Sequence, residues 1–304
     1  MTRIRKSMVS MSSTEWQTYN NAINQLIMSG KWHQLFLMHA APMGNHRMHG
    51  SMAGPVGYAR FLYWHRAYLV ECENALREID SSITIPYWDW LGSQRIPSGL
   101  NHMPMTGVIR NSGDVNFTDQ AEIDGIMLNT TFDAFVFDLE TNPHNHGHNW
   151  VGGIMSNPMD SPRDPLFYMH HAFIDKLFAD WQAKPGNENK APEVSDEDGL
   201  LDPWDEKWTI ANTQDISNLG SDSYSYAPAP GSVNPRLFDF GELARLLERR
   251  SWPRPNPFPP VWPPRPPLPI PTPGPRPGPD PIWDAPLSAE EMGLIQFLRS
   301  QPRA

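Results

Sequence analysis

Cysteine is almost missing from this chain. Cys72 is the only one in 304 residues, which excludes an intramolecular disulfide framework and any CxxC-type zinc or thioredoxin-like site. Charge is scarce as well, at 19%, and acidic residues outnumber basic ones to leave a net charge of -10. That balance argues against nucleic acid or an anionic membrane as the main partner. No run of about 18 apolar residues reads as a membrane span, and the basic start "MTRIRKSMVSMSS" is followed by no apolar core of the kind a secretory signal needs. The expectation is a soluble chain with no visible signal peptide and a small molecule as partner. Its compartment is left open, between the cytoplasm and export on a partner.

What is abundant is aromatic residues, at 11% with 12 Trp, which describes a well-packed globular chain long enough for one large core or two modest ones. Proline is concentrated: 17 of the 33 fall between Pro253 and Pro286, in "PRPNPFPPVWPPRPPLPIPTPGPRPGPDP" and just beyond. Such a tract lacks amide donors for helix or sheet and should be extended. Residues 1–230 are therefore expected to form the folded domain, and 231–304 a proline-rich extension with a short terminal helix around Met292, Leu294 and Phe297. That extension would be a lid, or an arm for a partner or for homo-oligomer formation.

Within the body the hydrophobic period is helical. "SSTEWQTYNNAINQLIMSG" opens with a capping-box pair, Ser12 and Glu15, and ends at Gly30. "YARFLYWHRAYLVECENALREID" repeats apolar residues at Phe61, Trp64, Tyr68, Cys72, Leu76 and Ile79, and "DPLFYMHHAFIDKLFADWQ" puts Phe167, His171, Ile174 and Phe178 on one face. Cys72 reads as a small buried hydrophobe. The stretch 93–131 shows little periodicity and is expected to run as loops over the helices.

Nine of the 11 histidines are clustered, at 39, 46 and 49, at 65, at 144, 146 and 148, and at 170 and 171, and only His33 and His102 stand apart. A lone histidine such as His65 on an apolar stripe ordinarily means a core residue bonded to backbone. Several helices each presenting inward histidines, with few carboxylates among them, weaken that explanation. His144 and His148 are spaced to share a helical face, and Asp175 lies one turn after His171, where a carboxylate can help hold a ligating ring. An all-imidazole site favours copper, zinc or iron over magnesium or calcium. Two groups of three point to two metals.

Four strings then resemble the tyrosinase family of dinuclear copper proteins, in that family's order: "FLYWHRAYL", "SITIPYWDW", "PHNHGHNWVGG" and "SPRDPLFYMHHAFIDKLFADWQ". The resemblance covers most of residues 1–226 and is similar to the short bacterial tyrosinases. It implies a mainly α fold, with a central four-helix bundle holding a dinuclear copper site, long loops, and the proline-rich extension. It implies two copper ions as cofactor and dioxygen as co-substrate. The activity implied is ortho-hydroxylation of monophenols and oxidation of o-diphenols to o-quinones, with an o-aminophenol oxidase, a haemocyanin-like oxygen carrier, and a zinc-loaded or metal-free structural protein as alternatives.

Carried over by residue, the second copper would take His144, His148 and His171, leaving His170 as a packing residue and His146 as a bystander. The first would take His39 and His65. Its remaining ligand is a departure, because Val56 stands nine residues before His65. His49 fits if "GSMAGPVG" loops out, with His46 as the rival. No cysteine stands two residues before His49, where Arg47 sits, so the thioether link of some relatives is excluded. Glu140 and Asn145 match a family pair that holds a water for phenol deprotonation. Ser161 falls where some members carry a bulky residue over the copper pair, and Asn149 lies near the expected pocket mouth. "YSY", Tyr224–Tyr226, matches a motif that closes the family's catalytic domain by packing on Arg3 or Arg5. A small phenol is the expected substrate, and a copper-delivery partner is left open.

Overall fold

The computed structural model describes residues 3–230 apart from 45–46, 102–109, 111–116, 189 and 205–206. His46, the proline-rich tract and the terminal helix expected after it lie outside the described residues. Strand β1 (Arg3–Arg5) opens the chain, and α1 (Ser13–Met28) follows with both halves of the Ser12–Glu15 capping box formed. Gly30, at φ 77°, takes the left-handed conformation that side chains disfavour, and so lets the chain reverse into α2 (Lys31–Gly44).

The "GSMAGPVG" segment does not loop out as expected. Gly50–Ala53 forms the short helix α3, and Pro55 begins the long helix α4 (Pro55–Ile79). Glycine makes this tight join workable: a Cβ on Gly57 would stand 2.2 Å from the His49 carbonyl oxygen. Helix α4 is buried on nearly every side and packs against α1, α3, α7 and α9; it is not apolar all round, and its buried Arg66 and Glu73 are paired with Asp175 and Arg5. Cys72 is buried within it.

The 93–131 stretch is not all loop. Short helices α5 (Ser98–Asn101) and α6 (Gln120–Ile126) interrupt it, the second capped by Asp119 and burying Ile123 and Ile126. Two turns are too few to register as periodicity. Then come α7 (Phe132–Leu139), a π-helical turn (Glu140–His144), α8 (Asn145–Val151), α9 (Pro165–Gln182) and α10 (Asp196–Gly199). Strand β2 (Tyr224–Tyr226) pairs in parallel with β1, Arg3 opposite Tyr224 and Arg5 opposite Tyr226. The fold is mainly α, and the histidine-bearing segments surround its centre.

Between the two strands and the helices lies a buried charged network. The Arg5 guanidinium stacks 3.7 Å over the Tyr224 ring, so Arg5 and not Arg3 fills the stacking role. Tyr224 and Tyr226 donate their hydroxyls to Asp175 at 2.5 and 2.7 Å, and Arg66 pairs with the same carboxylate at 2.7 Å. Asp175 therefore does not hold the His171 ring as expected. Its carboxylate is committed to Arg66 and the two tyrosines, while His171 Nδ1 has no hydrogen-bond partner.

Candidate metal centre

His39 comes from α2, His65 from α4, and His49 from the extended residue that precedes α3. These three buried side chains bring ligand nitrogens within 4.8 Å of one another. On the other side, His144 ends the π-helical turn and His148 lies in α8, with ring centroids 4.6 Å apart. The π turn widens the coil by one residue and carries Pro143, as such turns often do where side chains must converge.

Helix α9 adds two neighbouring histidines. His170 offers a ring nitrogen within 4.8 Å of those of His144 and His148. Its Nε2, however, bonds the His144 carbonyl at 3.1 Å, and its ring fills the space a Cβ on Gly147 would occupy. His171 Nε2 sits 3.2 Å from His148 Nε2, and its ring stacks on His65 at 4.2 Å. His171 thus joins the two groups. His146 turns away and bonds Thr118 at 3.0 Å.

Backbone and amide acceptors orient several rings. The Nδ1 of His65 meets the Phe61 carbonyl at 2.8 Å, that of His148 meets the Met155 carbonyl at 2.7 Å, and that of His144 meets Asn145 Oδ1 at 3.1 Å. A proton held on Nδ1 leaves Nε2 with its lone pair. Burial, reinforced by the neighbouring imidazoles, holds His39, His65, His144 and His171 well below the usual histidine range. Burial also takes His148 down to about 4. All are neutral at pH 7, the state a metal needs.

The test of fit to copper is the set of nitrogens left over. Both ring nitrogens of His39, and Nε2 of His65 and of His144, are buried without a hydrogen-bond partner. Such groups are costly unless something binds them. All-nitrogen donors suit copper.

Two phenylalanines that sequence reasoning took only as core wall in this cluster. Phe61 lies 4.9 Å from His65, and Phe167 lies 4.2 Å from His171. A shared F-x-x-x-H spacing in "FLYWH" and "FYMHH" was the available signal, since residues four apart meet on a helix. Beside the histidines opens a cleft lined by Met52, Asn145, Asn149, Met155, Ser161 and Phe167 among others. Asn145, Asn149 and Ser161 therefore face it. Glu140 is fully buried, not an exposed helix end, and its carboxylate points toward residues 49–51.

The model for the common central domain of tyrosinase matches residues 29–133 and 103–184. A tyrosinase of Streptomyces antibioticus is 28% identical over 258 residues, covering 67% of this chain and 93% of that one. A functional unit of octopus hemocyanin superposes with TM-score 0.59 at 22% identity, over 81% of this chain and 72% of the other. A polyphenol oxidase variant from Thermothelomyces thermophila does so with TM-score 0.56 at 18% identity, over 75% and 89%. With the central-domain match spanning both histidine groups, the chain belongs to the tyrosinase family of copper oxidases, whose cofactor is a pair of copper ions.

Proposed function

We propose that this chain oxidises small phenols with dioxygen, hydroxylating monophenols at the ortho position and converting o-diphenols to o-quinones, through a catalytic domain over residues 1–230. His39, His49 and His65 would hold the first copper, and His144, His148 and His171 the second. The observation that carries this reading is the pair of adjoining histidine groups, His39, His49 and His65 on one side and His144 and His148 with the α9 pair His170 and His171 on the other, with buried unpartnered ring nitrogens among them. His170 also keeps a buried, unpartnered Nδ1. His171 is preferred because its Nε2 lies 3.2 Å from His148 Nε2 and its ring stacks on His65, between the two groups, whereas His170 Nε2 bonds the His144 carbonyl.

When bound, the copper pair supplies the electrons that reduce dioxygen and takes them back from the phenol. The rest falls to the chain. Phe61 and Phe167 keep water from the imidazoles, which strengthens every polar interaction within the site. The small, buried Ser161 leaves room over the histidines for an aromatic ring. Asn145 holds the His144 ring through its Oδ1 and faces the cleft, where it would contact the entering phenol. A monophenol must also lose its hydroxyl proton, and Glu140 and Asn145, on either side of His144, are assigned the holding of the water that accepts it.

The copper-loaded protein should consume dioxygen with tyramine and with catechol in an electrode assay. Uptake with o-aminophenol alone would redirect the assignment to an aminophenol oxidase. Reversible oxygen binding without turnover would make the chain a carrier, like the hemocyanins among its relatives.

A further inference from the structure

We infer that Glu140 is a positioning residue for the first copper, acting through His49; the inference rests on the ligand assignment proposed above. His39 and His65 each sit inside a helix whose backbone bonds fix them. His49 does not: it occupies an extended residue, at φ -128° and ψ 128°, just before a helix of four residues, and its side chain caps nothing. A ligand so placed needs support from elsewhere.

Glu140 provides it. The carboxylate is fully buried, and a buried carboxylate is tolerated only when donors surround it. Here the donors come from one short segment. Gly50 donates its backbone N–H at 3.0 Å, Ser51 donates its backbone N–H and its hydroxyl at 3.4 Å each, and His49 Nδ1 lies 3.4 Å away. On the opposite side, the α4 backbone at Gly57 closes directly on the His49 carbonyl. His49 is thus gripped between Gly57 and Glu140.

A carboxylate facing Nδ1 also selects the tautomer. From 3.4 Å, it would close to a hydrogen bond when the site is loaded, hold the proton on that nitrogen, leave the Nε2 lone pair for metal, and make the ring a stronger donor. Because Glu140 opens the π turn that ends at His144, one five-residue turn sets a ligand of each copper. The water-holding role asks only that hydroxylation suffer when Glu140 changes. Positioning asks that one copper be held less tightly.

The experiment uses the full chain. Copper per chain and its release to a competing chelator are measured for wild type, Glu140→Gln, Glu140→Asp and His49→Ala, with copper(II) EPR as a second readout. Glu140→Gln keeps one acceptor oxygen but sets an amide NH2 against either the Gly50 donor or the Ser51 and His49 donors, and Glu140→Asp keeps the charge but falls short of them. Both should bind one copper about 10- to 100-fold more weakly, the usual cost of losing an outer partner of a ligand. The other copper should keep wild-type affinity, and the EPR signal of a lone copper(II) should match that of His49→Ala. A general loss of structure would weaken both coppers together. If Glu140→Gln does not fold, Glu140→Asp carries the test, with circular dichroism as the control. A folded variant that holds both coppers as wild type does overturns the inference. Wild type that binds fewer than two coppers overturns the paired-site assignment instead.

Discussion

His170 and His171 are adjacent in α9 and equally buried, yet their nitrogens have different neighbours. His170 Nε2 is spent on a backbone carbonyl, whereas His171 Nε2 faces His148. Replacing His171 with Ala should therefore reduce bound copper from two per chain to one, while His170→Ala should keep two. Elemental analysis after gel filtration decides, and equal losses would refute the assignment. Asn145 makes a second prediction at this scale. Asn145→Ala should lower the rate on tyramine more than the rate on catechol, by about 100-fold in the ratio, because the water that Asn145 is assigned to hold serves the deprotonation of the monophenol before its hydroxylation. A ratio that does not move would remove Asn145 from that step.

The segment from Glu140 to Val151 turns individual residues into a site. Its π turn, its alternation of His144, Asn145, His146 and His148, and the bare face of Gly147 are all consequences of one local path. Gly147 has no room for a side chain, since a Cβ would stand 2.2 Å from the His170 ring. Gly147→Ala should thus displace either α8 or His170 and cost about 1–3 kcal/mol, seen as a lower Tm of the copper-free protein and weaker binding of the second copper. An unchanged Tm would mean that the contact relaxes at no cost. At the same scale, helices α1, α4 and α9 were legible in the sequence because their caps and three-to-four spacing are long-range repeats of a local rule. Helix α6 and the α3 turn were not, since two turns or fewer carry too little pattern.

The whole molecule answers to pH through its buried groups. In the unfolded chain an imidazole takes up a proton near pH 6.5, but in the folded, copper-free protein burial delays this, to about 4 for His148. Between those values the unfolded state binds more protons, so the stability of the copper-free protein should be level above about pH 6.5 and fall as pH drops toward 4. Thermal melts from pH 8 to 4 would show it, and a flat Tm would contradict it. The Asp175 network ties β1, α4, α9 and β2 together. Asp175→Asn leaves the buried Arg66 without its carboxylate, while Arg5 keeps Glu73; the change should cost about 3–5 kcal/mol, measured by urea unfolding. A loss below about 1 kcal/mol would show that Arg66 is held well enough by its remaining acceptors, the Thr213 and Gln214 carbonyls and Gln182.

The sequence by itself determined the metal chemistry. Clustered histidines with one cysteine and few accompanying acids allow few donors other than imidazole, and four ordered strings tie them to one family. It also determined the long helices, whose periodicity is local. Only the tertiary structure decided that His170 Nε2 meets a backbone carbonyl while His171 Nε2 meets His148, that Asp175 serves Arg66 and the tyrosines instead of His171, and that Glu140 reaches across to residues 49–51. Each of those facts depends on which distant atom lies within about 3 Å of a polar group, and spacing along a chain does not encode that distance.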